Sequence, residues 1–68
     1  MDYKKLKWII KSNGDKQEDL AKVIGLTLPR LNAKLNRKHG ADFTRDEMEV
    51  IVNRYDLTPQ ETYEIFFA

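Results

Sequence analysis

Between Gln17 and Asn36 the chain spaces its apolar residues for two short helices joined by a tight turn, and this spacing constrains the fold more than any other feature. Leu20, Ile24, Leu26, Leu31 and Leu35 recur at helical rather than strand intervals. Ala21 is small where the second helix of such a pair must cross the first, and Gly25 suits the backbone that reverses direction between them. Thr27 is a natural N-cap for the later helix, and Pro29 falls in its first turn, where no internal N–H bond is lost. That helix is expected from about Leu28 to Arg37.

The flanking sequence reads as helical too. Tyr3, Leu6 and Ile10 make one stripe, so Asp2 to about Ser12 is expected as a first helix, ended by Asn13-Gly14. Ile9 completes the core side, and Trp8 lies off it. Asp15 with Glu18 three residues later makes a capping box for a second helix, about Lys16 to Ile24, with the cap open to a shift of one residue. Phe43 plugs the core before Thr44 and Glu47 cap a fourth helix, Arg45 to Tyr55, with Met48, Ile51, Val52 and Tyr55 inward. Leu57 is a buried link, and Thr58-Pro59 with Glu61 starts a fifth helix. Its end, Tyr63, Ile65, Phe66 and Phe67, is too apolar for one core face. These aromatics serve either as a plug in a monomer or, through Phe66 and Phe67, as contacts in a homodimer.

Sixty-eight residues without cysteine predict one all-α domain, residues 1–68, near the lower size at which an apolar core alone holds a fold together. Disulfides and thiolate metal sites are excluded. His39 has no clustered partners and reads as a loop residue, so no metal, cofactor or histidine-based catalysis is expected. Ser12, the only serine, has no base beside it, which argues against an enzyme. The longest apolar run, Ile65–Ala68, is far short of a membrane span or signal-peptide core. A cytoplasmic protein without membrane partners is expected.

The net charge of +1 hides a strong asymmetry. Lys22, Arg30, Lys34, Arg37 and Lys38 fall between residues 20 and 41 with no acid among them, whereas residues 42–68 carry Arg45 and Arg54 against Asp42, Asp46, Glu47, Glu49, Asp56, Glu61 and Glu64. A positive face opposite an acidic one can therefore form without the whole chain being basic.

These residues carry a family resemblance. Gln17, Leu20, Ala21, Gly25, Leu26, Thr27, Leu31, Leu35, Asn36, Phe43, Thr44, Glu47, Phe66 and Phe67 fall in the register of the helix-turn-helix of the phage repressor and Cro-like family, also called the XRE type, which the chain resembles over most of its length. Small phage-encoded members are the most similar. The resemblance implies a compact five-helix, lambda-repressor-like DNA-binding domain, with a helix-turn-helix at about 16–37, that regulates transcription. It also implies that Gln17 holds a backbone phosphate and braces the recognition helix, and that Leu28 stands at a base-reading position, although its angle equally lets it join Leu31 in the core. The chain is expected to be too short for the separate oligomerisation or self-cleaving domain of full-length repressors.

With Leu31 and Leu35 inward, Pro29, Ala33, Asn36 and Arg37 point outward, flanked by Asn32 on one side and by Arg30 and Lys34 on the other. Leu28, Pro29, Arg30, Asn32 and Ala33 are then the expected base-facing residues of a double-stranded DNA site. Asn32 suits adenine, Arg30 suits guanine, and the apolar members suit thymine methyl groups. Gln17, Thr27, Lys34, Asn36, Arg37 and Lys38 are the expected phosphate contacts. The scarcity of long amides on this face leaves a rival reading: a protein–protein interaction module on the same fold, anti-repressor-like or host-factor-binding.

Overall fold

The helices of the described residues start, in three cases of five, at a threonine whose side chain satisfies a first-turn N–H group. In the computed structural model, which describes residues 3–67, these are α1 (Lys4–Ser12), α2 (Gln17–Ile24), α3 (Leu28–Leu35), α4 (Arg45–Tyr55) and α5 (Pro59–Phe66). No strand is present among the described residues, and the chain is all-helical. Thr27, Thr44 and Thr58 cap α3, α4 and α5 through their hydroxyl oxygens, each accepting from the backbone three residues on. Glu47 and Glu61 return the bond to the Thr44 and Thr58 N–H groups at 2.8 and 3.0 Å.

The cap of α2 differs from the expected one. Lys16 occupies the N-cap, and Asp19, not Glu18, accepts its N–H at 2.9 Å. Asp15 is drawn away by α4: its carboxylate takes two bonds from the Arg54 guanidinium at 2.7 and 2.9 Å and one from the Tyr55 hydroxyl at 2.8 Å. The Arg54 and Tyr55 bonds hold the Asp15 carboxyl below the usual carboxylate range. For α1, Tyr3 is the N-cap, and the expected start at Asp2 lies outside the described residues.

The core gathers Leu6, Ile9 and Ile10 of α1, Leu20 and Ala21 of α2, Leu31 and Leu35 of α3, Ile51 of α4, and Ile65 and Phe66 of α5, with Phe43 and Leu57 from the connections. Met48, Val52 and Tyr55 pack against it half-buried. Tyr3, Phe43 and Phe66 form a mutual ring cluster with centroids 5.2–6.2 Å apart, joining the two ends of the chain to the connection after α3. Phe66 is thereby committed to the core, which removes it from the expected dimer contacts. Phe67, one residue on and about 100° around, stays 62% exposed. Trp8, also exposed, lies off the α1 stripe.

The turn joining α2 to α3 is short because Gly25 takes the left-handed conformation, φ +87°, and lets both its own N–H and that of Leu26 return to the Ala21 carbonyl at 2.9 Å. Ala21 is buried in the crossing of the two helices. The outward side of α3 is left beside the first turn of α2.

Candidate functional site

The N-terminal half of α3 and the start of α2 border one open groove of about 540 Å³, lined by Lys16, Gln17, Glu18, Leu28, Pro29 and Asn32. Leu28 is 43% exposed, so of its two allowed positions it takes the one outside the core. Pro29 and Arg30 are exposed beside it, and Asn32 and Ala33 are half-buried. The expected base-facing set thus shares the accessible side of a single helix. Thr27 stands at its head, its hydroxyl oxygen accepting the Arg30 N–H at 3.3 Å and its proton left to donate outward.

Gln17 and Asn32 meet across the groove floor, where the Asn32 Nδ2 donates to Gln17 Oε1 at 3.3 Å. This bond braces α3 against the first turn of α2 and leaves the Gln17 amide hydrogens unspent. Asn36 closes α3 but is not available to an outside phosphate. Its Nδ2 donates to the Asn32 carbonyl at 3.0 Å and to Asn32 Oδ1 at 3.2 Å, and its Oδ1 accepts from the Lys7 ammonium of α1.

No family model, curated protein or solved structure matches the chain. Residue chemistry and geometry therefore carry the functional reading.

Two further expected phosphate contacts turn inward. Lys34 is only 5% exposed, and its ammonium is 2.6 Å from Glu47 Oε1, the same oxygen that caps the Thr44 N–H. Partial burial works to raise the Glu47 carboxyl, but the bonds from Lys34 and Thr44 hold it below its ordinary range. A lysine in this setting ties α3 to α4 and is largely shielded from an outside phosphate. Arg37 adopts φ +51°, a left-handed backbone that swings its side chain back over the Tyr3 ring, 4.5 Å from guanidinium carbon to ring centroid. Its Nε is buried with no hydrogen-bond partner among the described residues. Lys34 acts inside the domain and its expected role at phosphate is withdrawn, as for Asn36, whereas Arg37 is half-buried against the Tyr3 ring.

The fully exposed part of the basic block is then Lys22, Arg30 and Lys38. Lys38, His39 and Gly40 form an exposed 3₁₀ turn after α3, with His39 and Gly40 at φ +53° and +75°. Sequence reasoning missed two residues that shape this region. Lys7 anchors the chain of amides beneath α3. Tyr3 donates its N–H to the Leu35 carbonyl at 3.0 Å and its hydroxyl to Asp42 while supporting Arg37 on its ring. Burial and the Asp42 bond push the Tyr3 phenol up from its ordinary value, opposed by Arg37. Neither could be found from spacing, because each partner lies about thirty residues or more away.

Among the described residues, no group of acidic, histidine or cysteine side chains is placed to hold a metal ion, and no helix is long and apolar enough to cross a membrane.

Proposed function

We propose that this chain is a sequence-specific, double-stranded DNA-binding transcriptional regulator of the phage repressor and Cro type, working in the cytoplasm without cofactor or catalysis. α2 and α3 form its helix-turn-helix, and α3 enters the major groove. The observation that carries this reading is the unobstructed outer side of α3, from Leu28 to Ala33, on a helix whose other side is locked into the core by Leu31 and Leu35. Recognition helices of this kind present their N-terminal residues to base edges. Leu28, Pro29 and Ala33 fit thymine methyl groups, and Arg30 fits a guanine edge.

Phosphate contacts fall to groups that the fold leaves outward: the Gln17 amide at the N-terminal end of α2, the Thr27 hydroxyl, and Lys38 in its exposed turn. A homodimer built on α5 would use Phe67, and two-fold half-sites about 34 Å apart follow from that geometry. Random-sequence 20-base-pair duplexes, read by fluorescence anisotropy over a salt series, test the reading. With Arg30 and Lys38 at the interface, log affinity falls against log salt with a slope of about −2 per protomer. Arg30→Glu with Lys38→Glu abolishes binding at moderate salt.

A second reading keeps the fold and assigns a protein partner to the same face. It is favoured by the exposure of Leu28, Tyr63 and Phe67, together with the withdrawal of Lys34 from the surface. Salt-insensitive behaviour and unchanged partner binding in the double glutamate variant would select it over DNA.

A further inference from the structure

The amides under α3 form a hydrogen-bonded chain with one direction, and Lys7 sets that direction. An ammonium can only donate, so the Asn36 side chain must turn its Oδ1 to Lys7 and its Nδ2 toward α3. That Nδ2 meets the Asn32 backbone carbonyl and the Asn32 Oδ1, so one of the two acceptor sites of the Asn32 side-chain oxygen is taken inside the domain. The Asn32 Nδ2 is then turned to Gln17, whose Oε1 accepts one of its hydrogens. What remains at the groove is one hydrogen of Asn32 and both amide hydrogens of Gln17. Both side chains present donor hydrogens there.

This polarity weighs against the adenine contact expected of Asn32, because bidentate recognition of adenine needs an amide oxygen that accepts from N6 while the nitrogen donates to N7, and Asn32 Oδ1 already accepts from Asn36. The groove instead pairs donors with the apolar surfaces of Leu28 and Pro29. We infer that this groove reads a thymine: O4 accepts from the Asn32 amide, and the C5 methyl lies against Leu28 and Pro29. Thymine alone offers an acceptor and a methyl group side by side on its major-groove edge, whereas guanine offers two acceptors and no methyl. Lys16 and Glu18, on the α2 rim, offset each other in charge. The inference rests on the DNA-binding reading proposed above and specifies the base that its recognition helix takes. Lys7 and Asn36 are positioning residues in this scheme, acting on the base only through Asn32.

The test uses duplexes selected by the protein from a random 20-base-pair pool, remade with thymine, uracil or 5-methylcytosine at each enriched thymine. Uracil, lacking the methyl, weakens binding about threefold to fivefold at the position contacted. 5-Methylcytosine keeps the methyl but replaces the O4 acceptor with an amine, and weakens binding about tenfold or more through opposed donors. Lys7→Met frees the amide chain to turn over and narrows the preference for thymine over 5-methylcytosine, while its loss of charge affects all duplexes alike. Asn32→Ala removes that preference. Retained melting behaviour of each variant separates these effects from misfolding, and the analogue series on the unaltered protein stands regardless.

Enrichment of G·C pairs at the groove, with the cytosine amine reporting Glu18 as an acceptor, would overturn the inference. So would uracil or 5-methylcytosine binding as tightly as thymine, or an unchanged preference in Lys7→Met. Salt-dependent duplex binding with no thymine discrimination removes the thymine assignment alone, whereas no duplex binding at all removes the DNA-binding reading with it.

Discussion

Lys34 separates a folding role from a nucleic-acid role more sharply than any other position. Its ammonium and the Glu47 carboxylate form a pair with side chains 6% and 15% exposed, 2.6 Å apart. Lys34→Met keeps the apolar stem but leaves Glu47 partly buried with only the Thr44 N–H to stabilise its charge. Removing one partner of a buried pair costs about 3–5 kcal/mol, and the remaining exposure of Glu47 reduces this to about 2–3 kcal/mol. For a domain of this size each kcal/mol lowers the melting temperature by about 4–8 °C, so the variant melts roughly 10–20 °C lower. Adding Glu47→Gln removes the stranded charge and keeps an N3 side chain able to cap Thr44, so the double variant recovers most of the loss. Circular-dichroism melts of the four proteins give the coupling energy. Salt-titrated duplex binding, taken well below each melting temperature, keeps the slope of the unaltered protein for Lys34→Met, whereas Lys38→Met lowers it by about 0.9. An unchanged melting temperature together with a shallower salt slope for Lys34→Met would refute the assignment of Lys34 to the interior.

Asp15, held below its ordinary range by Arg54 and Tyr55, contributes stability that is full above the usual carboxylate range and is lost as pH falls through its lowered folded value. Acid titration followed by circular dichroism shows this loss, and Asp15→Asn flattens it while lowering stability at neutral pH. Phe66→Ala, in the ring cluster with Tyr3 and Phe43, destabilises by about 3–4 kcal/mol in urea unfolding, whereas exposed Phe67→Ala changes stability by less than about 0.5 kcal/mol. Gly25→Ala costs about 1 kcal/mol for the left-handed backbone alone, since a Cβ there meets nothing within 4 Å.

What the sequence made legible was local. Thr44 with Glu47 and Thr58 with Glu61 announce helix starts because a cap is a contact between residues three apart, and the α4 and α5 boundaries follow from them. The same reasoning placed Leu31 and Leu35 inside and left Leu28 open between two neighbouring angles, which only the packing around α3 could resolve. Lys34 looked outward because its angle lies on the border of that face, and its burial depends on a carboxylate supplied by α4. Arg37 was misplaced for a different reason: helical geometry was extended past Leu35, whereas the chain leaves the helix at Asn36 and enters a left-handed turn. Asp15 resembled a cap until Arg54 and Tyr55, far along the chain, outcompeted the α2 backbone for its oxygens. The orientation of the Asn32 amide was illegible altogether, since it is imposed by a lysine on another helix.

Backbone amide chemical shifts recorded during titration with a selected duplex test most directly whether the outer side of α3 is the binding surface. The account predicts the largest changes at Gln17, from Thr27 to Ala33 and at Lys38 to Gly40, with α5 unaffected in a monomeric complex. Changes confined to the surroundings of Trp8, Tyr63 and Phe67, with Leu28 to Ala33 silent, would contradict it.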